Sequence, residues 1–563
     1  MNVDHSGEGG HHMERVSRRG VGSEGKVNRR GRVLASIAAL LTMGSAALVG
    51  ASGARADTYE TVIVTSSGSL SPVTAVLNAG GTVLTQYTII NGVLASVTTT
   101  EAGVLAATPG LTVTQDVAVS VQNAVSTGPH TPSDAFLAQT GATQLAQAGD
   151  TGQGVTVAVL DTGIDNLPDF SGRLIGGVDL SGEGNAFHDS YGHGTFVAGL
   201  IAGNGASSGG QYSGEAPGAN LVSVKVAGAS GSTDLGNLIS GLQWILNNQA
   251  AYHINVVNIS LGFQPTKSTV NNPLDMAVER VWTGGVAVVA SAGNAGPFNG
   301  TILSPGDDPL VITVGALDDM AQANVANDEM TDFSSVGPTS ADGWVKPDLV
   351  TSGRSVVSLA APGSTVYNNH PSAIVGTANF VGSGTSFSAA ITSGAAALFL
   401  ANHAGDTPNQ VKAALIAGTN PGPVGNPFTD GHGALNAYGA DNVSSALNYN
   451  QSTAGLSPTP NGTTVSLSPT GSTVDTWNGQ SWNGQSWNGQ SWNGQSWNGL
   501  SWNGQSWNGQ SWNGQSWNGQ SWNGAEWNGQ SWNGQSWNGQ SWNGQSWNGA
   551  AWSGQSWNGQ SWN

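Results

Sequence analysis

The stretch Gly384-Thr385-Ser386-Phe387-Ser388-Ala389-Ala390 opens an apolar, alanine-rich run that ends near Leu400 and predicts a helix. Ser386 would then lie at the N-terminus of that helix, where unpaired backbone N–H groups favour negative charge. A serine nucleophile suits this position because its reaction passes through an oxyanion. The same residues also form a good N-cap, so the stretch alone leaves capping and catalysis open.

The chain around this stretch alternates short apolar runs with helical patterns. This alternation predicts an α/β domain with a doubly wound, mostly parallel sheet over residues 131–445. Buried strands are expected at Val155–Leu160, Asn220–Val226, Asn255–Ser260, Gly285–Ala290 and Val311–Gly315. Helices are expected at Leu235–Asn247, Asn272–Trp282 and Phe387–Leu400. In such sheets the ligand crevice lies beyond the carboxyl ends of the strands.

Two further polar residues fall at edges of this crevice. Asp161 ends the strand pattern in Val157-Ala158-Val159-Leu160-Asp161-Thr162-Gly163, and His193 precedes the apolar helix Phe196–Ile201. Either residue alone could belong to a turn or a loop. Together with Ser386 they form a chemically complete set, since a histidine can remove the serine proton and an aspartate can orient the histidine.

The motifs Asp-Thr-Gly, His-Gly-Thr and Gly-Thr-Ser resemble those of the subtilisin-like serine proteases, and their order Asp…His…Ser is known from subtilisin. The resemblance covers about residues 57–445. It implies a secreted endopeptidase, made as a zymogen, that hydrolyses peptide bonds through an acyl-enzyme. In that mechanism Asp161 orients the imidazole, His193 is general base and then acid, and Ser386 is the nucleophile.

The resemblance also implies how a polypeptide substrate is held. Asn294, in Ser291-Ala292-Gly293-Asn294, would donate to the oxyanion. One wall of the substrate cleft would be Ser260, Leu261 and Gly262, and the opposite wall would include Gly231 and Ser232. An extended peptide between two such edges is bound by β-augmentation. The chain departs from the family at Phe387, where a methionine is usual, and at Ala390, where a proline is usual; we expect tuning of activity rather than its loss.

No cofactor is implied. The chain has no cysteine, which excludes disulfides and thiolate metal sites. Asp169 matches a calcium ligand of the family, but the loop Asn204–Ser213 that would complete the site lacks acids. The sequence therefore assigns no metal ligands and leaves calcium as an open question.

The N-terminal part divides into two segments. Residues 1–56 combine a basic region, an apolar stretch from Val33 to Val49 and the small-x-small site Ala54-Arg55-Ala56, which is typical of a signal peptide. A membrane anchor is the alternative, but the apolar core is short, so no stable membrane span is expected. Residues 57–130 read β-α-β-β-α-β, a small α+β ferredoxin-like pattern. Their position resembles that of the inhibitory propeptide of subtilases, an intramolecular inhibitor removed near residues 125–133, although a generic α/β module fits the pattern equally.

The C-terminal part has low complexity. Residues 446–475 are a linker, and residues 476–563 repeat Trp-Asn-Gly-Gln-Ser, with tryptophan at every fifth position from Trp477 to Trp562. A coil of short strands could stack the rings in a ladder. Three roles remain open for this tail: attachment to cell-wall polysaccharide, self-association, or a disordered spacer.

Composition narrows the function. Charged residues make up 9% of the chain, against roughly 25% in an average soluble protein, which fits an extracellular protein. The formal net charge of −19 argues against nucleic acid as a partner. The rival to a protease is a cell-surface adhesin or wall-binding protein with a relic protease fold, supported only by the tryptophan tail.

Overall fold

The computed structural model describes residues 57–121 and 131–443, together with a series of two-residue strands between Ser491 and Trp562. The expected signal peptide and linker lie outside the described residues. Across the described ranges, every helix is too short or too polar to cross a bilayer.

The first described segment folds as the predicted β-α-β-β-α-β module. Its elements are β1 Tyr59–Ser66, α1 Pro72–Ala79, β2 Thr82–Tyr87, β3 Gly92–Thr98, α2 Thr99–Ala106 and β4 Leu111–Gln115. The sheet order is β2-β3-β1-β4 with antiparallel neighbours, which is the ferredoxin-like arrangement. Local signals explain both helices: Ser71 caps α1 ahead of Pro72, and Thr98 with Glu101 forms a capping box on α2.

The second segment, counted together with the strand of residues 118–121 that pairs with it, contains fourteen strands. They are β5 Ala118–Val121, β6 Thr156–Asp161, β7 Leu174–Asp179, β8 Asn220–Lys225, β9 Ser232–Asp234, β10 Ile254–Ile259, β11 Leu261–Gly262, β12 Ala287–Ser291, β13 Ile312–Asp318, β14 Glu329–Met330, β15 Leu349–Ser352, β16 Val356–Leu359, β17 Ile374–Val375 and β18 Asn379–Gly382. The helices are α3 Phe136–Gln139, α4 Ala142–Gln147, α5 His193–Ala202, α6 Leu235–Tyr252, α7 Pro273–Thr283, α8 Thr365–Asn369, α9 Thr385–Asn402, α10 Pro408–Ala417 and α11 Ala437–Asp441.

The central sheet runs in the order β14-β13-β12-β10-β6-β8-β7, and β15 also pairs with β13. All neighbours are parallel except β13 and β14. Helices α5 and α9 pack together on the sheet, and so do α6 and α7. The predicted doubly wound α/β fold is therefore confirmed. Every residue of β6 is buried, as expected for a parallel strand covered on both faces.

Helix α9 is the core element that carries Ser386. All its residues from Thr385 to Leu400 are buried. It contacts α5 as well as β10, β12 and β13, so it ties the strand ends to a second helix. A helix buried all round needs apolar or small side chains on every face, which explains its richness in alanine.

The tail strands pair in parallel with strands twenty residues further along the chain. Trp492 is opposite Trp512, which is opposite Trp532, and three further sheets repeat this register. Four repeats therefore complete one turn of a coil, and each described tryptophan is paired in register with another tryptophan. Neighbouring strands in such a sheet are about 4.8 Å apart.

Candidate active site

The fold brings the three predicted catalytic residues to one edge of the sheet. Asp161 is the last residue of β6, His193 is the first of α5, and Ser386 is the second of α9. The exposed fractions of these residues are 0%, 3% and 0%, so the site is shielded from bulk water. Gly194 is required beside His193, because a side chain there would collide with the carbonyl oxygen of Gly163.

The carboxylate of Asp161 holds the imidazole of His193. Nδ1 of His193 lies 2.8 Å from Oδ1 and 3.0 Å from Oδ2 of Asp161, and the backbone N–H of Thr162 donates to the same Oδ1 at 2.8 Å. A carboxylate can only accept here, so the ring carries its proton on Nδ1. Nε2 is then the basic nitrogen, and it has no hydrogen-bond partner in the described part of the chain.

Ser386 is fixed through Ser260. Its Oγ donates to the Ser260 carbonyl at 3.3 Å, and the Ser260 hydroxyl donates back to the Ser386 carbonyl at 3.1 Å. Asn258 donates to the Ser260 hydroxyl at 2.9 Å and accepts from Ser393 of α9 at 3.0 Å. These bonds join the end of β10 to the helix that carries Ser386.

The link between Ser386 and His193 is not a hydrogen bond in this structure, because Nε2 of His193 is unpartnered among the described residues. The imidazole nevertheless lies beside the residue that follows Ser386. The ring centroids of His193 and Phe387 are 5.6 Å apart. The imidazole of His193 and the start of α9 are thus neighbours.

Sequence reasoning missed Asp189, which organises the start of α5. Its buried carboxylate accepts from the backbone N–H groups of Gly192 and Thr195, each at 2.7 Å, and from the Thr162 hydroxyl at 2.8 Å. Burial raises the pKa of Asp189, the backbone N–H donors oppose that shift, and the neighbouring charge of Asp161 adds to it. An acid shortly before an apolar helix was the available signal, since carboxylates are favoured at helix N-termini.

Asn294 lies beside the N-terminus of α9, as the family resemblance implied. Its Oδ1 accepts from the backbone N–H and from the hydroxyl of Thr385, both at 3.0 Å. The Thr385 hydroxyl in turn accepts from the backbone N–H of Gly293 at 3.1 Å. These bonds fix the plane of the Asn294 amide, so Nδ2 is its donor atom. The amide lies next to Thr385, the residue before Ser386.

The two predicted walls of the substrate cleft face each other across a strand of the chain itself. Strand β5 lies between β11 and β9 and is antiparallel to both. Val121 is opposite Leu261, and Ser120 is opposite both Gly262 and Ser232. The N–H of Val121 also donates to the Gly231 carbonyl at 3.0 Å. The sequence did not predict β5, since the expected β-α-β-β-α-β pattern is already complete at β4.

The N-terminal module is docked on the start of α6. The N–H of Leu235 donates to the Val117 carbonyl at 3.0 Å, and that of Gly236 donates to the Asp116 carboxylate at 2.8 Å. The Tyr87 hydroxyl donates to the Gly236 carbonyl at 2.9 Å. Burial raises the pKa of Asp116 to about 6; the Gly236 N–H opposes this shift, and the charge of Asp234 adds to it.

The residues around Asp169 do not fit a calcium site. The buried Asp169 carboxylate accepts from the backbone N–H of Ser207 at 3.2 Å and also from the Ser207 hydroxyl. Calcium requires six to eight oxygen ligands. In the described part of the chain, no cluster of three or more acidic, histidine or cysteine side chains is arranged to hold a metal.

The chain is similar in sequence to known proteins. The model of the Subtilase family matches residues 152–440. Serine protease AprX of Bacillus subtilis (strain 168) is 42% identical over 292 residues, which are 51% of this chain and 66% of AprX. Subtilisin NAT of Bacillus subtilis subsp. natto is 34% identical over 308 residues, which are 54% of this chain and 70% of that protein.

A solved structure is similar in fold. Fervidolysin from Fervidobacterium pennivorans, described as a keratinolytic enzyme related to subtilisin, superposes with a TM-score of 0.54 at 21% identity. The alignment covers 69% of this chain and 61% of fervidolysin. The match to the family model and the sequence identity to the two Bacillus subtilis proteases show that this chain belongs to the subtilase family of serine endopeptidases.

Proposed function

We propose that the protein is a secreted serine endopeptidase that cleaves polypeptides through Asp161, His193 and Ser386. The buried Asp161–His193 pair carries the proposal, because it leaves the basic Nε2 of the imidazole beside the residue that follows Ser386. Rotation of the Ser386 side chain would bring Oγ to Nε2. Hydrogen bonds of this kind are often long or misaligned in the absence of substrate and tighten when it binds.

The reaction follows from these positions. His193 removes the proton of Ser386 as Oγ attacks the peptide carbonyl, and Nδ2 of Asn294 with the backbone N–H of Ser386 stabilises the oxyanion. His193 then protonates the leaving amine, and the acyl-enzyme is hydrolysed by water. Asp161 holds the tautomer throughout and stabilises the imidazolium.

Hydrolysis of a peptide by the purified enzyme tests this function. We expect Ser386→Ala to abolish cleavage. Ser388→Ala is the matched control, because Ser388 lies on the same buried helix and its hydroxyl donates to the carbonyls of Thr351 and Ser352 at 3.1 Å. Equal residual activity in both variants would contradict the proposal.

We further propose that the inhibitory propeptide expected over residues 57–130 comprises the N-terminal module and β5. Strand β5 supports this role, because it pairs with the walls on which a substrate would lie. The maturation region expected near residues 125–133 falls largely outside the described residues. Ser133, however, pairs through its backbone with β16, so it belongs with the catalytic domain. Val121 pairs with Leu261, directly beside Ser260. We therefore place the cleavage shortly after Val121, ahead of the earlier expectation.

The mature N-terminus tests this placement. Mass spectrometry of the secreted enzyme should find an N-terminus within a few residues after Val121, and Ser386→Ala should remain unprocessed. A mature N-terminus before Ala118 or after Ser133 would contradict the proposal. The wider division into signal peptide, propeptide, catalytic domain, linker and tail is part of the same proposal, with the mature chain starting ahead of residue 131.

For the tail, the parallel in-register pairing of its strands favours self-association over the other roles. Strands that pair in this way within one chain can also pair between copies of the chain, because exposed strand edges are prone to pairing. Sedimentation of Ser386→Ala, full length and truncated after residue 445, would test this role. Retention of the full-length chain by cell-wall polysaccharide, without self-association, would instead favour wall binding. The comparisons give the adhesin alternative no support.

A further inference from the structure

A cavity of about 400 Å³ opens beside the catalytic histidine. His193 and Phe387 line its inner end, and α8 with the small sheet β16-β18-β17 forms its outer part. None of the residues of β5, β9 or β11 lines it. Its volume lies at the lower end of the range for small-molecule sites, about 300–1,000 Å³. The cavity is thus separate from the groove that holds residues 118–121.

The direction of β5 indicates which half of a peptide substrate, on either side of the scissile bond, the cavity would bind. Residues 118–121 run toward Ser386, because Val121 pairs with Leu261 and the carbonyl of the adjacent Ser260 lies 3.3 Å from Oγ of Ser386. They therefore lie where the acyl half of a substrate would lie. The leaving half must depart on the other side of Ser386. There, Nε2 of His193 has to reach the leaving nitrogen in order to protonate it.

The lining of the cavity determines which side chain it accepts. Five phenylalanine and tyrosine rings contribute to it: Tyr191, Phe196, Tyr367, Phe380 and Phe387. The ring centroids of Phe196 and Phe387 are 4.3 Å apart, and those of Tyr367 and Phe380 are 6.5 Å apart. None of its lining residues is an aspartate, glutamate, lysine or arginine. A charged side chain would lose its hydration there without gaining an ion pair, whereas a large apolar side chain would bury its surface against rings.

We propose that this cavity selects a large apolar side chain on the first residue of the leaving peptide. Phe387 is the central specificity residue, since its ring contacts both His193 and Phe196. From the sequence alone, Phe387 is only a departure from the methionine that is usual in the family. The inference rests on the proposed peptidase function and adds a preference on the leaving side of the scissile bond.

Partitioning of the acyl-enzyme between water and added amines tests the cavity directly. An ester substrate acylates Ser386, and an amino acid amide then competes with water. Its amine nitrogen bonds to the acyl carbon, Oγ of Ser386 leaves, and the amine proton passes through His193. The competing amine must occupy the leaving side. We expect phenylalanine amide and leucine amide to be captured about tenfold or more better than glycine, aspartate or lysine amides.

A variant that fills the cavity sharpens the test. Ala373 lines the cavity and is partly exposed, so Ala373→Trp should lower the ratio of phenylalanine amide to glycine amide capture toward one. Ala206→Trp is the matched control, because Ala206 is exposed and lies outside the cavity lining; it should keep the wild-type ratio. Equal capture of all amides by the wild-type enzyme would overturn the leaving-side preference alone. Failure to hydrolyse any ester would overturn the peptidase function together with it.

Discussion

Replacement of Glu215 by glutamine should stabilise the protein, and the gain should grow with pH. Glu215 is 1% exposed, and neither of its carboxylate oxygens has a hydrogen-bond partner in the described part of the chain. Its backbone N–H donates to the Leu200 carbonyl of α5, and its Cβ lies where a side chain at Gly394 of α9 would project. The acid is therefore buried between the two helices that carry His193 and Ser386.

The magnitude follows from linkage. Burial raises the pKa of Glu215 from 4.5 to about 8. The folded state therefore holds a proton that the unfolded state releases above pH 4.5, so stability falls as pH rises from about 4.5 to 8 and then levels off. At 1.36 kcal/mol for each pH unit, the loss reaches about 3 kcal/mol at pH 7.

Urea unfolding at pH 5, 7 and 9 measures this effect. The measurement belongs in a Ser386→Ala background, where autolysis cannot interfere. We expect Glu215→Gln to be nearly neutral at pH 5 and stabilising by about 3 kcal/mol at pH 7, with a larger gain at pH 9. Glu329→Gln, at an exposed position of β14, is the control. If the free energy of unfolding of Glu215→Gln runs parallel to that of the parent across this pH range, the pKa of Glu215 is not raised in the folded state.

Four further predictions concern the site. Asp161→Asn should lower kcat by about 10⁴, because the amide selects the wrong imidazole tautomer; steady-state kinetics with a folded variant will show whether it does. Asn294→Ala should lower kcat by about 10²–10³ with little change in KM, and a change confined to KM would argue against an oxyanion role. The cleaved propeptide should dissociate faster as pH rises through about 6. Docking raises the pKa of Asp116, so the docked state favours the protonated carboxyl and is weakened when that proton is lost. Asp116→Asn should remove this dependence on pH. Chelation of calcium should leave the melting temperature unchanged, because Ser207 already satisfies the Asp169 carboxylate; a marked fall on chelation would contradict that assignment.

The parts of the fold that the sequence predicts are those whose signals are local. The strand that ends at Asp161 and the helix that begins at Thr385 each combine an apolar run with a polar boundary, and both lie close to where they were expected. The ferredoxin-like module follows for the same reason, because its helices begin with capping residues. Helix α6 continues past its expected end at Asn247 and stops only at Tyr252, where His253 adopts a left-handed conformation.

The parts that were missed depend on distant partners. Strand β5 has four residues, and its pairing partners on β9 and β11 are more than a hundred positions away along the chain. Strand β7 contains Gly176 and Gly177 and a register shift, so its apolar alternation is interrupted. The cavity beside His193 is formed by residues of α5, α8, α9 and the small sheet, so no single stretch of sequence indicates it.

The central claim is that Ser386 becomes a nucleophile through the buried Asp161–His193 pair. The most direct measurement is labelling of the mature enzyme with a fluorophosphonate, followed by mapping of the modified residue by tandem mass spectrometry. We predict a single adduct on Ser386, which disappears when His193 is replaced by alanine. An adduct on any other residue, or undiminished labelling of Ser386 in the His193→Ala variant, would contradict it.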